Sequence, residues 1–460
     1  MKKLFKILAG FIAVGVVLVI VAVVALPLLV EPQDIKDQLS ARIKAQTGRD
    51  LSIPGEVKLS VFPWLGASLG EVKLGNAIGF SAPVFASTSK VDVRVKLMPL
   101  FSRRVEMDTV TVHGLTVNLE RNEQGASNWD DLAGHGGDKG ASSTSAGEAA
   151  GQGLAGFAIG GIDVRDATLS FSDKRAGQVY SLNNLNVTTG ALSAGKPVTL
   201  ELGFDLSSAV PAISAHVAAT ASVQANAQAK TVRVSALSIT ANLKGDSLPG
   251  GKVDATLVAD IGVDGAKQTA TVRNLAVNLL DLAMTGSLDA SDLDKTPAIS
   301  GELKVASFNP RDVLKALGQS VPNTSDAKAL TKLSLSTQLS GSTDSLALKP
   351  LSVVLDDSTL KGEARVSNFV KPAMRFALQL DAIDLDRYLP PGSETRPATP
   401  GAAAGKAAEA PTDSLRALDI AGTFDAGKVK VAKLNLTAVK ATLNAKNGLI
   451  RLNPVSAKLY

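Results

Sequence analysis

Val91-Asp92-Val93-Arg94-Val95-Lys96-Leu97 alternates apolar and polar residues without interruption. Side chains of a β-strand point to opposite faces with a period of two, so this run places its apolar residues on one face and its charges on the other. Similar alternation continues over 110–119 and returns at 333–336, 376–380 and 429–436. Clean alternation marks antiparallel strands wetted on one side. Turn signals separate the runs, among them Asn183-Asn184, Leu243-Lys244-Gly245-Asp246 and Asn447-Gly448. The last of these, between 436–445 and 449–452, is a tight-hairpin signal. The pattern predicts a mainly β protein, a meander of many short strands.

A second constraint lies at the N-terminus. Residues 7–30 carry no charge and follow Lys2, Lys3 and Lys6. As a helix this run is about 36 Å long, enough to cross a hydrocarbon core of about 30 Å. The lysines before it predict a cytoplasmic N-terminus and a body on the far side of the membrane. A cleaved signal peptide has an apolar region of only about 7–15 residues and a small-residue cleavage site. The stretch Ala25-Leu26-Pro27-Leu28-Leu29-Val30 offers no such site, which favours an uncleaved signal anchor.

Three helical pieces interrupt the meander. Over 33–47, Ile35, Leu39 and Ile43 recur at i, i+4 and i+8, predicting an amphipathic helix with Pro32 in its first turn and Gly48 as its stop. Asn309-Pro310-Arg311-Asp312 opens a second pattern, which ends at Gly318. Ile383-Asp384-Leu385-Asp386-Arg387-Tyr388-Leu389-Pro390 is a shorter echo. Two stretches rich in Gly, Ser, Ala and Pro, 134–156 and 390–413, carry too little side chain to offset the entropy of ordering them and read as flexible linkers. The expected organisation is therefore a cytoplasmic N-terminus and anchor (1–30), a β block with a membrane-proximal helix (31–133), a linker, a central β-rich block (157–389), a second linker, and incomplete terminal strands (414–460).

Composition excludes several function classes. Cysteine is absent, so an exported body has no disulfide staples. The net charge is only +5, with acids and bases mixed and no basic block after the anchor, which argues against nucleic acid as a partner. Aromatic residues are 4% of the chain against 45% hydrophobic, so the apolar surface is aliphatic.

No motif supports catalysis. Gly66-Ala67-Ser68-Leu69-Gly70 has nucleophile-elbow spacing, but strand-like Glu71-Val72-Lys73-Leu74 follows where that motif needs a helix. Gly151-Gln152-Gly153-Leu154-Ala155-Gly156 has dinucleotide-fingerprint spacing inside low-complexity sequence with no strand before it. His113, His135 and His216 have no metal-ligand spacing. Asp356-Asp357 and the Asp384/Asp386 pair read as turn and capping chemistry rather than acid–base machinery. No enzyme activity, cofactor or metal is expected. Trp64 reads as a ring plugging the end of a sheet or as a membrane-surface anchor. Trp129 reads as a packing cap. The 33–47 helix either caps a sheet edge or lies on lipid headgroups.

Several motifs in order resemble the AsmA family of bacterial inner-membrane-anchored periplasmic proteins. The N-terminal ones are Thr47-Gly48-Arg49-Asp50-Leu51, Phe62-Pro63-Trp64-Leu65-Gly66, Met98-Pro99-Leu100 and Gly125-Ala126-Ser127-Asn128-Trp129. Later ones are Phe308-Asn309-Pro310-Arg311, Leu317-Gly318, Leu355-Asp356-Asp357-Ser358 and Ile383-Asp384-Leu385-Asp386-Arg387-Tyr388-Leu389. Gly448-Leu449-Ile450-Arg451-Leu452 and Ala457-Lys458-Leu459-Tyr460 resemble a family strand pair that normally continues. The resemblance implies a long curved antiparallel β-sheet of repeating β-groove type with an apolar concave face. It also implies a role in lipid traffic and outer-membrane biogenesis.

The alternation agrees with that implication, since a sheet with one apolar face must cover it with another layer or a ligand. Aliphatic surface suits acyl chains because contact is non-directional and scales with buried area. The same periodicity also fits two sheets packed as sandwiches. The expectation is a non-catalytic, single-pass inner-membrane protein with a periplasmic body that binds or conducts phospholipids, with Val91, Val93, Val95 and Leu97 as candidate groove-lining residues. Its expected partners are membrane phospholipids and outer-membrane assembly or lipid-handling proteins. The alternative is a scaffold that assists outer-membrane protein assembly through exposed sheet edges.

Overall fold

The computed structural model describes residues 32–60, 64–101, 105–132, 157–193, 195–391, 419–446 and 449–459. The uncharged run at 7–30, the linker at 134–156, most of that at 390–413, His135 and the Asn447-Gly448 turn lie outside them. Among the described residues, no helix is long and apolar enough to cross a membrane. The chain divides into two compact units, 1–227 with 243–247 and 228–242 with 248–460.

Unit 1 opens with α1 (Pro32–Thr47), β1 (Leu51–Ser52), β2 (Val57–Ser60), β3 (Trp64–Leu69), β4 (Val72–Gly75), β5 (Val84–Thr88) and β6 (Lys90–Lys96). It continues with α2 (Leu97–Phe101), β7 (Val105–His113), β8 (Thr116–Arg121), β9 (Phe157–Asp173), β10 (Gln178–Thr189), β11 (Val198–Ala209) and β12 (Ala212–Asn226). Strands β2, β3, β6 and β7 pair antiparallel in that order, as do β1, β4, β5 and β8. The long β9 receives both β7 and β8 on one edge, in parallel, and starts the antiparallel series β9–β10–β11–β12 on the other.

The strand β13 (Thr231–Lys244) crosses the division between the units. Unit 2 then runs through β14 (Lys252–Asp264), β15 (Thr269–Leu279), β16 (Leu282–Ser291), β17 (Ala298–Phe308), α3 (Pro310–Ala316), β18 (Leu333–Gly341) and β19 (Ser345–Leu355). It ends with β20 (Ser358–Ser367), β21 (Ala373–Asp384), β22 (Asp419–Val431), β23 (Leu434–Lys446) and β24 (Leu449–Leu459). Every sequential pair from β14 to β24 is hydrogen-bonded and antiparallel except β21–β22, which is parallel.

The expected antiparallel meander of short strands thus needs correction in length, since β9 to β24 run 9–17 residues, and in direction at β7–β9, β8–β9 and β21–β22. Parallel neighbours cannot be joined by a tight turn and need a longer crossover. The chain between β8 and β9 and between β21 and β22 supplies that length.

Helix α1 ends as the sequence predicts, with Gly48 at φ +71 and its N–H on the Lys44 carbonyl (2.9 Å), the left-handed stop that glycine adopts without steric cost. In α3 the Asn309 side chain accepts from the Arg311 N–H (3.0 Å), and Pro310 occupies the first turn.

Five local expectations fail, the first at Asn183-Asn184, which lies inside β10 at a register shift instead of in a turn between strands. Leu97 opens α2 instead of closing the β6 strand. The 110–119 run breaks into β7 and β8 at Gly114, which has φ +59. The 429–436 run is a hairpin, broken at Ala432 and Lys433. The helical echo at 383–390 reduces to a 3-10 turn, Leu385–Arg387, because Ile383 and Asp384 still pair with β22.

Burial shows no sandwich core among the described residues. Their buried apolar side chains are Ile53, Val57, Val253, Leu351, Val429 and a set of alanines. Two packed sheets would bury long ladders of Val, Leu and Ile from both inner faces. Here the aliphatic side chains of the strands are mostly half-buried.

Candidate functional site

Strand register converts the period-two pattern into two surfaces. In unit 1, paired residues run Val57, Leu69, Val91, Val112, Val164, Val187, Leu202 and Ala219 across β2, β3, β6, β7, β9, β10, β11 and β12. The row one position along reads Lys58, Ser68, Asp92, Thr111, Asp163, Thr188, Glu201 and Thr220. Adjacent rows of a pleated sheet face opposite sides, so one surface of this unit is aliphatic and the other polar. With strand spacing of about 4.8 Å, the aliphatic row extends on the order of 34 Å.

Unit 2 repeats the device. Ile261, Val272, Leu288, Gly301, Leu339, Leu348, Ala364, Phe376, Gly422, Leu443 and Leu452 form one row from β14 to β24. Beside it, Thr271, Asp289, Ser300, Ser340, Ala347, Arg365, Arg375, Ala421, Asn444 and Arg451 form a predominantly polar row from β15 to β24. Glycine in the apolar row admits a large neighbour. A Cβ on Gly422 would lie 2.6 Å from Phe376 ring carbons, so the ring folds over the glycine backbone.

Val91, Val93 and Val95 lie on the aliphatic surface of unit 1, opposite Leu69, Ala67 and Leu65 of β3. On the other side of β6, Val91 faces Val112 and Val95 faces Met107. Leu97 stands apart from them at the start of α2. The intervening Asp92 is on the polar surface, ion-paired with Lys90 (2.7 Å). Burial alone would raise its carboxyl, but bonds from Lys90 and Ser68 prevail and hold it below the ordinary carboxylate range.

Buried polar clamps fix the strand ends, and they are built from the sequence motifs that the alternation does not explain. Arg49, 3% exposed, donates through Nε to Asp131 (2.8 Å) and through Nη2 to Asp131 and the Asn128 carbonyl (both 2.5 Å). Its guanidinium lies 4.6 Å from the centre of the Phe85 ring. The hydrogen bonds from Arg49 lower the Asp131 pKa. The fully buried Asn128 accepts from the Glu120 N–H (2.9 Å) and donates to the Asn118 carbonyl (2.7 Å) and Asn76 Oδ1 (3.0 Å). Trp129, next in sequence, packs its ring 6.1 Å from that of Phe171, which stands beside Tyr180 and Leu119 on the aliphatic surface.

In unit 2 the Asp356 carboxylate accepts from the N–H groups of Leu330 (2.8 Å), Thr331 (2.9 Å) and Lys332 (3.0 Å) and from the Tyr388 hydroxyl (2.8 Å). Burial would raise the Asp356 pKa, yet these donors together lower it. The Tyr388 hydroxyl is pushed up to about 12 by burial and by its bond to Asp356. Arg387 joins Asp326 (2.7 Å) to Asp357 (2.8 Å). Arg311 donates to the Ala329 carbonyl (2.9 Å) and to Thr324 Oγ1 (2.5 Å). These bonds fasten the 317–332 loop across the ends of β19–β21 and place the paired aspartates in turn architecture.

Ser68 of the elbow-like motif sits mid-strand in β3, opposite Asp92. His216 Nδ1 meets Asp205 Oδ1 (2.7 Å) on the polar surface of β11–β12. Among the described residues, no group of His, Asp or Glu is arranged to hold a metal ion. The clamps escaped sequence reasoning because their members lie far apart, 82 positions for Arg49 and Asp131. The available signal was asparagine and aspartate grouped where the alternation stops, as in Asn128-Trp129-Asp130-Asp131 and Leu355-Asp356-Asp357.

Comparison with known proteins adds lineage. The chain is 32% identical over 104 residues to Protein AsmA of Escherichia coli (strain K12). That alignment covers 22% of this chain and 16% of the relative's length. No solved structure matches. The sequence profile of the AsmA family matches residues 1–460, and the chain belongs to the AsmA family.

Proposed function

We propose that this protein is an inner-membrane-anchored periplasmic protein of bacteria that binds or conducts phospholipids in outer-membrane biogenesis, without catalysing a reaction. The observation that carries the reading is the pair of continuous aliphatic rows, one in each unit, whose Val, Leu and Ile side chains among the described residues are mostly half-buried. An exposed aliphatic surface of that length is unfavourable in water, and acyl chains are a partner that removes it. Polar residues on the reverse surface keep that side wetted. Family membership supports the outer-membrane context, and the uncharged run at 7–30 supports the anchor. Val91, Val93 and Val95 are the proposed contacts on β6, with Leu97 following at its end.

Native mass spectrometry of the full-length protein purified from bacteria tests this. Val93→Asp combined with Val95→Asp charges the aliphatic surface, and Thr188→Lys adds a charge to the reverse surface on β10. All forms share the same anchor, so lipid held by the anchor cancels in the comparison. The expected result is phospholipid retained by wild type and Thr188→Lys and several-fold less on the double variant. Equal retention by all three folded proteins would refute the aliphatic surface as the lipid site.

A further inference from the structure

We propose that α2 and the strand ends beside it form a membrane-docking tip that enters the headgroup region of an anionic phospholipid bilayer. The proposal rests on the membrane-anchored reading above. Every residue of α2 (Leu97-Met98-Pro99-Leu100-Phe101) is apolar. A helix that is apolar on all sides belongs in a core or in lipid. Met98 is 76% exposed, and Leu65 on the neighbouring β3 is exposed as well, so the Met98 side of this helix is not core.

The surroundings have the chemistry of an interfacial anchor. Trp64 pairs with Lys96, whose ammonium lies 5.9 Å from the centre of the indole ring and 3.6 Å from Glu106. Arg94 is exposed on the same surface of β6. Apolar side chains beside a tryptophan and cations suit a lipid boundary. The apolar groups enter, the indole sits at headgroup depth, and the long cations reach anionic headgroups.

The chain path directs the start of α1 to this end. Strands β3–β4 and β5–β6 form one long hairpin, closed by residues 76–83 and carrying Trp64 and α2 at its open end. The segment 50–60 runs antiparallel to β4 and β3, toward Trp64. Helix α1 lies back over it, with the Ser40 hydroxyl on the Leu51 carbonyl (2.9 Å). Pro32, which follows the uncharged run, is therefore directed toward the end that bears α2. The closed end presents Ile78, fully exposed on a loop that Asn76 fixes through the Ala82 carbonyl (2.8 Å), and it points the other way. From the tip, Val95, Val93 and Val91 follow in order on the aliphatic surface.

The chain has no cysteine, so Met98→Cys and Ile78→Cys can each carry a single environment-sensitive nitrobenzoxadiazole probe in the full-length protein. Leu65→Cys provides a second position at the tip. Each is reconstituted in phosphatidylethanolamine–phosphatidylglycerol vesicles containing doxyl-labelled lipid, and bound phospholipid is counted by mass spectrometry on the same preparations. Probes at 98 and 65 should emit at shorter wavelength and be quenched several-fold more than the probe at 78. The difference should shrink when phosphatidylglycerol is replaced by a neutral lipid. Quenching at 98 and 65 no greater than at 78 overturns the tip, whether or not phospholipid is retained on the body. Strong quenching at the tip with no phospholipid on the body sustains the docking and overturns the lipid-binding reading instead.

Discussion

Single carboxylates hold disproportionate amounts of this structure, and Asp356 shows how. It sits in a two-residue turn at φ +50, and its side chain receives three backbone N–H groups and one hydroxyl. Removing an acceptor from buried donors costs about 1–3 kcal/mol. Its folded pKa is lowered, so the unfolded chain binds the extra proton as pH falls. The stabilisation is therefore complete above the unfolded value of about 3.9 and is lost as pH falls through the folded value. Asp326 and Asp131 are lowered as well and act in the same direction. Asp356→Asn should lower stability at pH 7 by about 1–3 kcal/mol. It should also flatten, without abolishing, the loss of stability below about pH 4. Urea midpoints of both proteins at pH 7, 4 and 3 check this, and an acid loss unchanged in the variant would show that Asp356 does not carry it.

At the scale of elements, what the sequence reveals depends on how local the cause is. The alternation of 91–96 and the caps of α3 are written in consecutive residues, so they are readable. The hairpin at Ala432–Lys433 is not. Its residues adopt φ +51 and +64 without glycine or asparagine, because Asp386, 46 positions earlier, accepts the Ala432 N–H (2.6 Å) and the Lys433 N–H (2.9 Å). The clamp between Arg49 and Asp131 is hidden for the same reason, as is the pairing of Val112 with Val164 that continues the aliphatic row. Alternation says that a strand has an apolar face; only register says that the faces of eight strands coincide. The Asp386 contact predicts its own test. Asp386→Ala should speed amide exchange at Ala432 and Lys433 by about tenfold, the equivalent of about 1.4 kcal/mol. Exchange at Thr423 and Thr442, paired mid-strand in β22 and β23, should stay unchanged. Uniform acceleration along both strands would instead assign Asp386 a role in global stability.

Across the whole molecule, one rule recurs in both units: aliphatic rows on one surface, polar rows on the other, and loops clamped at the strand ends. Bulges preserve the rule. At the register shift between Val272 and Leu275, Arg273 pairs with Asp260 and Asp260 bonds Asn274 (2.6 Å), so Val272 and Leu275 both stay in apolar rows. A surface maintained through such irregularities has a consequence that a packed sandwich lacks, because acyl chains lying on it touch alternate residues. Full-length protein reconstituted with phospholipid bearing a diazirine on its acyl chain should, after photolysis, carry adducts with a period of two along individual strands. In unit 1 these should fall on Val187 and Leu202 and spare Thr188 and Glu201. In unit 2 they should fall on Leu288 and Leu339 and spare Asp289 and Ser340. Peptide mapping by mass spectrometry reads the pattern directly. Adducts without alternation would mean nonspecific contact with vesicles, and strands free of adducts would mean that protein, not lipid, covers the aliphatic surface.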